Sequence, residues 1–481
     1  MSHIVRIALL LLCSTLALVE GVQAQHAQVY VTSQAGDRLS AKPDVSFHAA
    51  GNEKADFRID DTVKNQEIVG FGASFLESGA ICLNSLDSAH QEKLLKSLFD
   101  PATGAGFSAM KTVIGATDFM AAGPFFTYDD HPGDIGMKLF SIQRDYGPNG
   151  LIAYIKRARQ YGHFVLQAPM DYPPDWMLFD VNKNQDVNPK YFPALAQYYV
   201  RYAQEYQKAG IFVDFVSLFN EPSIYTKIPA NKVRDLLRDY VGPAFAREGL
   251  KNGIMACEPP NRRTAAQYLP VILEDPNARK YIGAIAYHGY DYTDYENMTA
   301  LHQRYSGLKL WMTEICHAYE TDTPRTHPMP YLNYDDGDFW GNEILNDLEA
   351  GSSAWIYWNM ILDETGGPWL VSPIHGNPEI NNQHPIIIVN RKTKEVTYPP
   401  LYYYLGHFSK FVRPGAVRLQ TAGSKAGVRC MAFQSSGGGF VIEVMNRTKQ
   451  ATTAIVRWRN QDLKLGLPAL SISTYVWRNR Q

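Results

Sequence analysis

The chain has 481 residues, of which 45% are hydrophobic and 20% are charged, and its formal net charge is −2. Lys and Arg are spread evenly along it, so the charge pattern of a nucleic-acid-binding protein is absent from the sequence. The five cysteines are scattered without C-x-x-C spacing, which argues against a zinc cluster and against a dense disulfide framework.

The first 24 residues are typical of a secretory signal peptide. Arg6 is followed by an apolar segment from Ile7 to about Val19 and then by Val-Gln-Ala ending at Ala24. We predict cleavage after Ala24 and an exported protein, either secreted or periplasmic, or lysosomal or extracellular in a eukaryote. No later stretch approaches the roughly 20 apolar residues that a spanning helix needs, so we predict no stable membrane span.

Short apolar runs alternate with amphipathic segments between residues 67 and 402. Segments such as "FPALAQYYVRYAQEYQKAG" carry apolar residues at the three- and four-residue spacing of a helix. Eight strand–helix alternations predict a (β/α)₈ TIM barrel over 67–402. The eight predicted strand regions are 69–75, 109–115, 164–170, 215–222, 253–259, 282–290, 309–315 and 353–360.

The pattern changes to period-two alternation in the last part of the chain. Runs such as "GFVIEVMN" and "SISTYVWR" are separated by polar or Gly-rich turns, which predicts an appended β-sandwich over 403–481. The segment 25–66 also has strand-and-turn character. We expect its strands to join the sandwich.

Polar residues end nearly every predicted barrel strand, and in a parallel barrel these ends meet at the face that carries the active site. The residues are Asp118, Asp171, Glu221, Glu258, His288, Tyr290, Glu314 and Asn359. Glu221 and Glu314 follow the fourth and seventh strands. Such a carboxylate pair suits a retaining glycosidase, with Asn220 placed to hold a sugar hydroxyl. The alternative is that either glutamate is only a salt-bridge or capping residue.

The chain resembles glycoside hydrolase family 30, the group that contains the lysosomal glucosylceramidases. The motifs that carry the resemblance are "VGFGASFLESGAICLNSL", "TDFM", "FNEPS", "AYHGYDY", "MTEIC", "WNMILDETGGP" and "LGHFSKFVRPGA". The resemblance implies a barrel fused to a β-sandwich and retention of β-configuration. It also implies that Glu221 is the acid/base and Glu314 the nucleophile.

Further roles follow from the resemblance. It implies that Asp118 binds the outer hydroxyls of the sugar, that His288 and Tyr290 form a pair in which the tyrosine approaches the nucleophile, and that Trp358 is a sugar platform. Each has a structural alternative: Asp118 as a helix cap or turn residue, and His288 as a buried core histidine. Glu258, at another strand end, has as its alternative a simple ion pair with Arg262 or Arg263.

Two positions depart from the family pattern. Lys111 stands where glucosylceramidases carry Arg, and Met170 stands at the position of an aromatic residue. The lysine ammonium donates from a single nitrogen, whereas an arginine guanidinium presents several N–H groups in one plane. A methionine has no aromatic ring on which a sugar can stack. We therefore expect a glycone pocket that discriminates less sharply among hexoses, with Asp171 and Tyr172 as candidates for new substrate contacts.

We predict an exported retaining β-glycosidase that acts on a carbohydrate or glycolipid and needs no metal or organic cofactor. The activity considered first is that of a β-glucosidase or glucosylceramidase. Alternatives within the family are β-1,6-glucanase or galactanase, and β-xylosidase, fucosidase or xylanase. A non-catalytic carbohydrate-binding barrel is the alternative from another class, and a metalloenzyme using His288 and His317 is a weaker one.

Overall fold

The computed structural model describes residues 25–121, 125–180, 186–222, 224, 226–317, 332–368 and 383–479. The predicted signal peptide lies outside this part of the chain. The strands in the described residues are β1 (His26–Ser33), β2 (Ser40–Ala49), β3 (Phe57–Glu67), β4 (Gly70–Ser74), β5 (Ala109–Lys111), β6 (Val165–Pro169), β7 (Phe215–Ser217), β8 (Gly253–Met255), β9 (Ala284–His288), β10 (Lys309–Glu314), β11 (Ser352–Asn359), β12 (Ile361–Asp363), β13 (Ile387–Val389), β14 (Val396–Thr397), β15 (Val417–Gly423), β16 (Val428–Gln434), β17 (Gly439–Asn446), β18 (Thr452–Trp458), β19 (Gln461–Leu467) and β20 (Ser471–Arg478).

The helices of the same residues lie mainly between the parallel strands. They are α1 (Glu77–Asn84), α2 (Ser88–Phe99), α3 (Leu151–Ala158), α4 (Phe192–Lys208), α5 (Ala230–Leu236), α6 (Gly242–Arg247), α7 (Arg262–Leu273), α8 (Pro276–Arg279), α9 (Tyr295–Arg304), α10 (Tyr334–Glu349) and α11 (Pro400–Phe411). No helix among the described residues is long and apolar enough to cross a membrane.

The predicted (β/α)₈ barrel is confirmed. Strands β4 to β11 form one parallel sheet in the order β8-β7-β6-β5-β4-β11-β10-β9. A further parallel bridge joins Ile254 on β8 to Ile282 just before β9, so the sheet comes together around a ring. Each of the eight predicted strand regions overlaps one of these strands.

Alternation along the barrel strands separates two layers of packing. The interior holds a small cluster that includes Ala109, Ala286, Trp311 and Ile356, because small side chains leave room for the indole at the centre. Side chains of the opposite parity, such as Leu166 on β6, face the helices and belong to the main core. This parity decides which residues beyond each strand end point toward the axis.

The predicted β-sandwich is also confirmed, and hydrogen bonds close its strands into a ring. The order is β1-β2-β19-β18-β3-β15-β16-β17-β20, and β20 pairs back with β1. Strands β1 to β3 therefore lie in the same sheet as β15 to β20. Among the described residues, this closed strand order leaves the ring without a free edge strand that could pair with another chain.

A buried polar chain on α11 joins the barrel to the sandwich. The imidazole of His407 lies between two hydroxyls, with Nδ1 2.6 Å from Thr474 Oγ1 and Nε2 2.9 Å from Thr32 Oγ1. Thr474 in turn donates to Glu443 at 2.6 Å, and the Leu39 amide donates to Thr32 at 2.9 Å. His407 is completely buried. Burial lowers its pKa to about 3.

This pKa predicts acid-sensitive stability. Because the unfolded imidazole takes up a proton near pH 6.5, the contribution of His407 is complete above that pH and is lost as the pH falls toward about 3. Each pH unit within this window is expected to remove up to about 1.4 kcal/mol of unfolding free energy. Urea denaturation between pH 4 and 7 should therefore give a shallower pH slope for His407→Gln than for the wild type. The exposed His48→Gln variant is the control, and an unchanged slope in His407→Gln would contradict the assignment.

Candidate active site

The predicted site residues meet at the carboxyl ends of the barrel strands. Lys111 ends β5, His288 ends β9 and Glu314 ends β10, while Glu221 lies four residues beyond the end of β7. These four residues are at most 5% exposed. The site is therefore a small polar centre enclosed by an apolar barrel, where charges interact strongly because water is excluded.

The Lys111 ammonium is the hub of this centre. Its Nζ donates to Glu314 Oε2 at 2.6 Å, to Asn220 Oδ1 at 3.1 Å and to Glu258 Oε2 at 3.2 Å. It also lies 5.0 Å from the ring centroid of Trp358, within cation–π distance. Burial alone opposes its charge, but the carboxylates of Glu258 and Glu314 raise the pKa of Lys111 above its usual value.

His288 is the second cation. Its Nδ1 lies 2.8 Å from Glu221 Oε1 and 3.7 Å from Glu314 Oε1, and its Nε2 lies 3.3 Å from Glu258 Oε2. Burial by itself lowers the pKa of His288. The charge of Glu314 and the hydrogen bonds to Glu221 and Glu258 outweigh it and raise the pKa to about 9. His288 is thus a charged member of the centre and not a neutral core histidine.

The two predicted catalytic glutamates have different surroundings. Glu314 accepts from Lys111 at Oε2 and from the Tyr290 hydroxyl at Oε1, 2.8 Å away, and both contacts stabilise a negative charge. Burial and the charge of Glu314 raise the pKa of Glu221, while its hydrogen bond to His288 works in the opposite direction. A carboxylate oxygen of Glu221 and one of Glu314 lie within 4.8 Å of each other.

Backbone hydrogen bonds between strand ends hold Glu221 in an unusual conformation. Its φ is +42°, in the left-handed region that a non-glycine residue adopts at a cost of roughly 1–3 kcal/mol. The Glu221 amide donates to the Glu258 carbonyl at 2.8 Å, and the amide of the preceding Asn220 donates to the Met170 carbonyl at 2.8 Å. The loops after β6, β7 and β8 therefore fix the direction of this side chain together.

Local irregularities at the strand ends help to aim Glu314. The pairing of β10 with β9 shifts by one residue between Met312 and Glu314, so Thr313 is extra. Strict alternation from Trp311, which faces the interior, would point Glu314 outward. The extra residue restores its inward direction, as bulges next to active sites commonly do. A similar shift on β11 lies at Trp358.

Met170 and Asp171 occupy positions that the family pattern did not predict. Met170 is fully buried on the helix-facing side of β6, where its sulfur lies 3.6 Å from the Tyr199 hydroxyl, so it does not replace an aromatic face in the pocket. Asp171 has the parity of Val165, which faces the barrel interior. The structure therefore gives Asp171 the inward position that we associated with residue 170.

Asp171 lies near Asp118 in this pocket. Asp171 is 1% exposed, and neither of its carboxyl oxygens has a hydrogen-bond partner among the described residues. Burial and the nearby charge of Asp118 raise its pKa well above the usual value, while Lys111 lowers it. Burial thus favours the neutral form of the Asp171 carboxyl, and its unpartnered oxygens are available to a sugar hydroxyl.

Glu258 forms a different ion pair from the predicted alternative. Arg262 binds Asp347 through a 2.8 Å contact and Asp291 through another at 2.8 Å, behind the barrel wall. Glu258 is completely buried and contacts Lys111 and His288 instead. The strand-end position was the only sequence signal for it, since nothing in the sequence shows which cations lie across the barrel.

Three of these residues also have the donor set of a metal site. One ligand atom each from Glu221, His288 and Glu314 lies within 4.8 Å of the others. A divalent ion there would have to compete with the Lys111 ammonium, which is 2.6 Å from Glu314, and with the hydrogen bond between His288 and Glu221. The fixed cations make the arrangement better suited to acid–base chemistry than to metal binding.

Comparison with known proteins identifies the family of both domains. Residues 68–412 match the model of the glycosyl hydrolase family 30 TIM-barrel domain, and residues 415–475 match that of the family 30 beta sandwich domain. Putative glucosylceramidase 4 of Caenorhabditis elegans is 27% identical over 91% of this chain and 85% of its own length. An endo-1,6-beta-D-glucanase of Neurospora crassa is 28% identical over 85% of each chain.

Solved structures share the fold over nearly the whole length. SrfJ from Salmonella typhimurium covers 95% of this chain and 100% of its own, with a TM-score of 0.84 and 22% identity. The endo-beta1,6-glucanase BT3312 covers 95% of this chain and 99% of its own, with a TM-score of 0.80 and 22% identity. Because the family model spans most of the chain and its barrel carries the paired glutamates, the protein belongs to glycoside hydrolase family 30.

Proposed function

We propose that this glycoside hydrolase is an exported retaining β-glycosidase in which Glu314 is the nucleophile and Glu221 the acid/base. The observation that carries the proposal is the separation of at most 4.8 Å between carboxylate oxygens of the two residues. Retaining enzymes place their carboxyl groups about 5–5.5 Å apart, whereas inverting enzymes need roughly 6.5–9.5 Å to admit a water molecule. Export is proposed from the signal-peptide pattern of residues 1–24.

The surroundings of each glutamate support its role. Two donors, Lys111 and Tyr290, stabilise the anion of Glu314, which suits a nucleophile. The raised pKa of Glu221 suits a group that must begin the reaction protonated. His288 then stabilises the Glu221 carboxylate once its proton has been transferred.

The double displacement follows from these positions. A Glu314 carboxylate oxygen bonds to the anomeric carbon while the glycosidic C–O bond breaks, and the proton of Glu221 passes to the leaving oxygen. In the second step the Glu221 carboxylate removes a proton from water. The water oxygen bonds to the anomeric carbon and the ester to Glu314 breaks, so both glutamates return to their starting states.

We propose a β-linked glucoside with an apolar aglycone, such as glucosylceramide, as the first candidate substrate. Ile224, three residues after the acid/base, is 45% exposed, and Phe179 on the loop after β6 is 54% exposed. Both residues lie on loops that follow barrel strands, on the face where Glu221 would protonate the leaving group. The glucosylceramidase names among the relatives support this choice.

Hydrolysis of β-1,6-linked glucan is the second candidate. It is supported by the names of two fungal relatives, endo-1,6-β-D-glucanases of Neurospora crassa and Aspergillus fumigatus, and by the likeness of the fold to that of BT3312. An exposed aromatic ring such as Phe179 suits a sugar face as well as a lipid chain. Aryl β-glucoside, glucosylceramide and β-1,6-gluco-oligosaccharides should therefore be assayed side by side.

Replacing the two glutamates tests the mechanism. Glu314→Gln should abolish turnover of every substrate, because no nucleophile remains to form the glycosyl-enzyme. Glu221→Ala should slow natural glycosides far more than aryl glycosides with good leaving groups, which need little protonation. The measurement is kcat/KM for both substrate types. Equal losses on the two types in Glu221→Ala would contradict its role, and full activity in Glu314→Gln would contradict the nucleophile.

Replacing Asp171 tests the proposed sugar contact. Asp171→Ala should lower kcat/KM for aryl β-hexosides by about 1–3 kcal/mol, or about 5- to 150-fold, because a buried hydrogen-bonding group is removed. Asp171→Asn keeps a neutral hydrogen-bonding group at the same place and should stay much closer to the wild type, since burial raises the pKa of the native carboxyl. If the two variants lose the same activity, the neutral carboxyl is not the group that contacts the sugar.

Replacing Ile224 tests whether the aglycone is apolar. Ile224→Ser should lower kcat/KM for glucosylceramide in detergent micelles about 3- to 10-fold, because Ile224 is 45% exposed and its apolar surface would be lost to the aglycone. Aryl β-glucoside turnover should be unaffected. Val271→Ser, similarly exposed on α7, is the matched control. Faster hydrolysis of β-1,6-gluco-oligosaccharides than of glucosylceramide would favour the second candidate instead.

A further inference from the structure

We propose that Glu258 is a positioning residue for this reaction: its carboxylate fixes the Lys111 ammonium and the His288 imidazolium, each of which holds one catalytic glutamate. The inference rests on the proposed function, because it assigns Glu258 a part in the same two-glutamate chemistry. Glu258 itself contacts neither catalytic carboxylate in the described hydrogen bonds. It acts through the two cations.

The contacts place Glu258 opposite both catalytic groups. A single atom, Oε2, lies 3.2 Å from Lys111 Nζ and 3.3 Å from His288 Nε2. On their far sides, Lys111 reaches Glu314 at 2.6 Å and His288 reaches Glu221 at 2.8 Å. Two parallel links therefore run from Glu258, one to the nucleophile and one to the acid/base.

The Lys111 link limits how far the ammonium can move. A lysine has three N–H donors, and the three oxygen acceptors around Nζ belong to Asn220, Glu258 and Glu314. Without Glu258, the ammonium would keep only Asn220 and Glu314 as acceptors, and Glu314 would be its only anionic partner among these three. An undivided ion pair of that kind would hold the nucleophile's charge more tightly and slow its attack on the sugar.

The His288 link depends on charge balance. When Glu221 is protonated, the carboxylates of Glu258 and Glu314 balance Lys111 and His288, so the buried centre carries no net charge. Lys111 and His288 bring the pKa of Glu258 down to about 2, although burial alone would raise it. An uncompensated charge at this depth would be costly, so the third carboxylate keeps both cations in place.

The experiment compares Glu258→Gln with Glu343→Gln. Glu343 is a buried carboxyl that binds the Tyr295 hydroxyl behind the barrel, so its replacement controls for loss of a buried acid away from the centre. Glu258→Gln should lower kcat on aryl β-glucoside about 100-fold with little change in KM, as misplaced catalytic groups do. The alkaline limb of its pH–rate profile should move to lower pH, because a negative charge next to His288 and close to Glu221 has been removed.

A second measurement does not depend on turnover. In ¹⁵N-histidine-labelled protein, the titration midpoint of the His288 ring should fall by at least about one pH unit in Glu258→Gln and stay unchanged in Glu343→Gln. His288 faces Lys111, Glu221, Glu258 and Glu314. Of these four groups, Glu258→Gln replaces one and Glu343→Gln replaces none. If Glu258→Gln does not fold, Glu258→Asp keeps the charge at a shorter reach and should lower kcat while leaving the alkaline limb in place.

The outcomes separate this inference from the proposed function. A folded Glu258→Gln protein with wild-type kcat and an unshifted His288 titration would overturn the positioning role. Equal activity losses in Glu258→Gln and Glu343→Gln without a shift would reduce Glu258 to a structural residue and would also overturn it. If the wild type hydrolyses no β-glycoside, the proposed function fails, while the His288 titration still decides whether Glu258 holds the cation.

Discussion

The buried ammonium of Lys111 is the constraint on which the active centre depends. A positive charge shielded from solvent is stable only where oxygen acceptors surround it. The three acceptors around Lys111 lie at the end of β10 and in the loops after β7 and β8. These strand ends must therefore converge with little tolerance. The barrel brings these strand ends together. Two backbone hydrogen bonds, from Asn220 to Met170 and from Glu221 to Glu258, hold them in place.

The same constraint explains how two chemically identical glutamates acquire different roles. Glu314 is the direct partner of the permanent cation, whereas Glu221 pairs with an imidazolium that is itself shared with other carboxylates. In the proposed mechanism, one side chain is thereby kept ready to donate electrons and the other ready to donate a proton. The difference arises from the neighbours on the adjoining strands, and the residues themselves contribute nothing to it.

Much of this architecture could be predicted from the sequence, because it depends on local patterns. Apolar runs of strand length located all eight barrel strands, and the polar residues at their ends located the catalytic face. Cross-barrel contacts could not be predicted in the same way. The pairing of Glu258 with Lys111 joins residues that are 147 positions apart, and no local pattern distinguishes it from a pairing with the nearby Arg262.

The direction of side chains at the strand ends was the second feature that the sequence alone could not predict. Whether Met170 or Asp171 faces the pocket depends on one residue of register, and the extra residue at Thr313 reverses the direction that simple alternation gives to Glu314. The family pattern directed attention to Met170, which packs against Tyr199 on α4. Only the neighbours that surround the two side chains in three dimensions show that Asp171 takes the inward place.

Closure of the nine-stranded ring has a consequence for the order of folding. Gln28 on β1 pairs with Val476 on β20, so the ring joins residues 448 positions apart (476 minus 28). Strands β1 to β3 precede the barrel in the chain, and their ring cannot close until β15 to β20, which follow the barrel, have been synthesised. Such long-range pairing is slow to form, and it exposes the edges of β1 to β3 while the barrel assembles. The small domain can therefore close only after both β1 and β20 have been synthesised, although the two strands lie side by side in the folded protein.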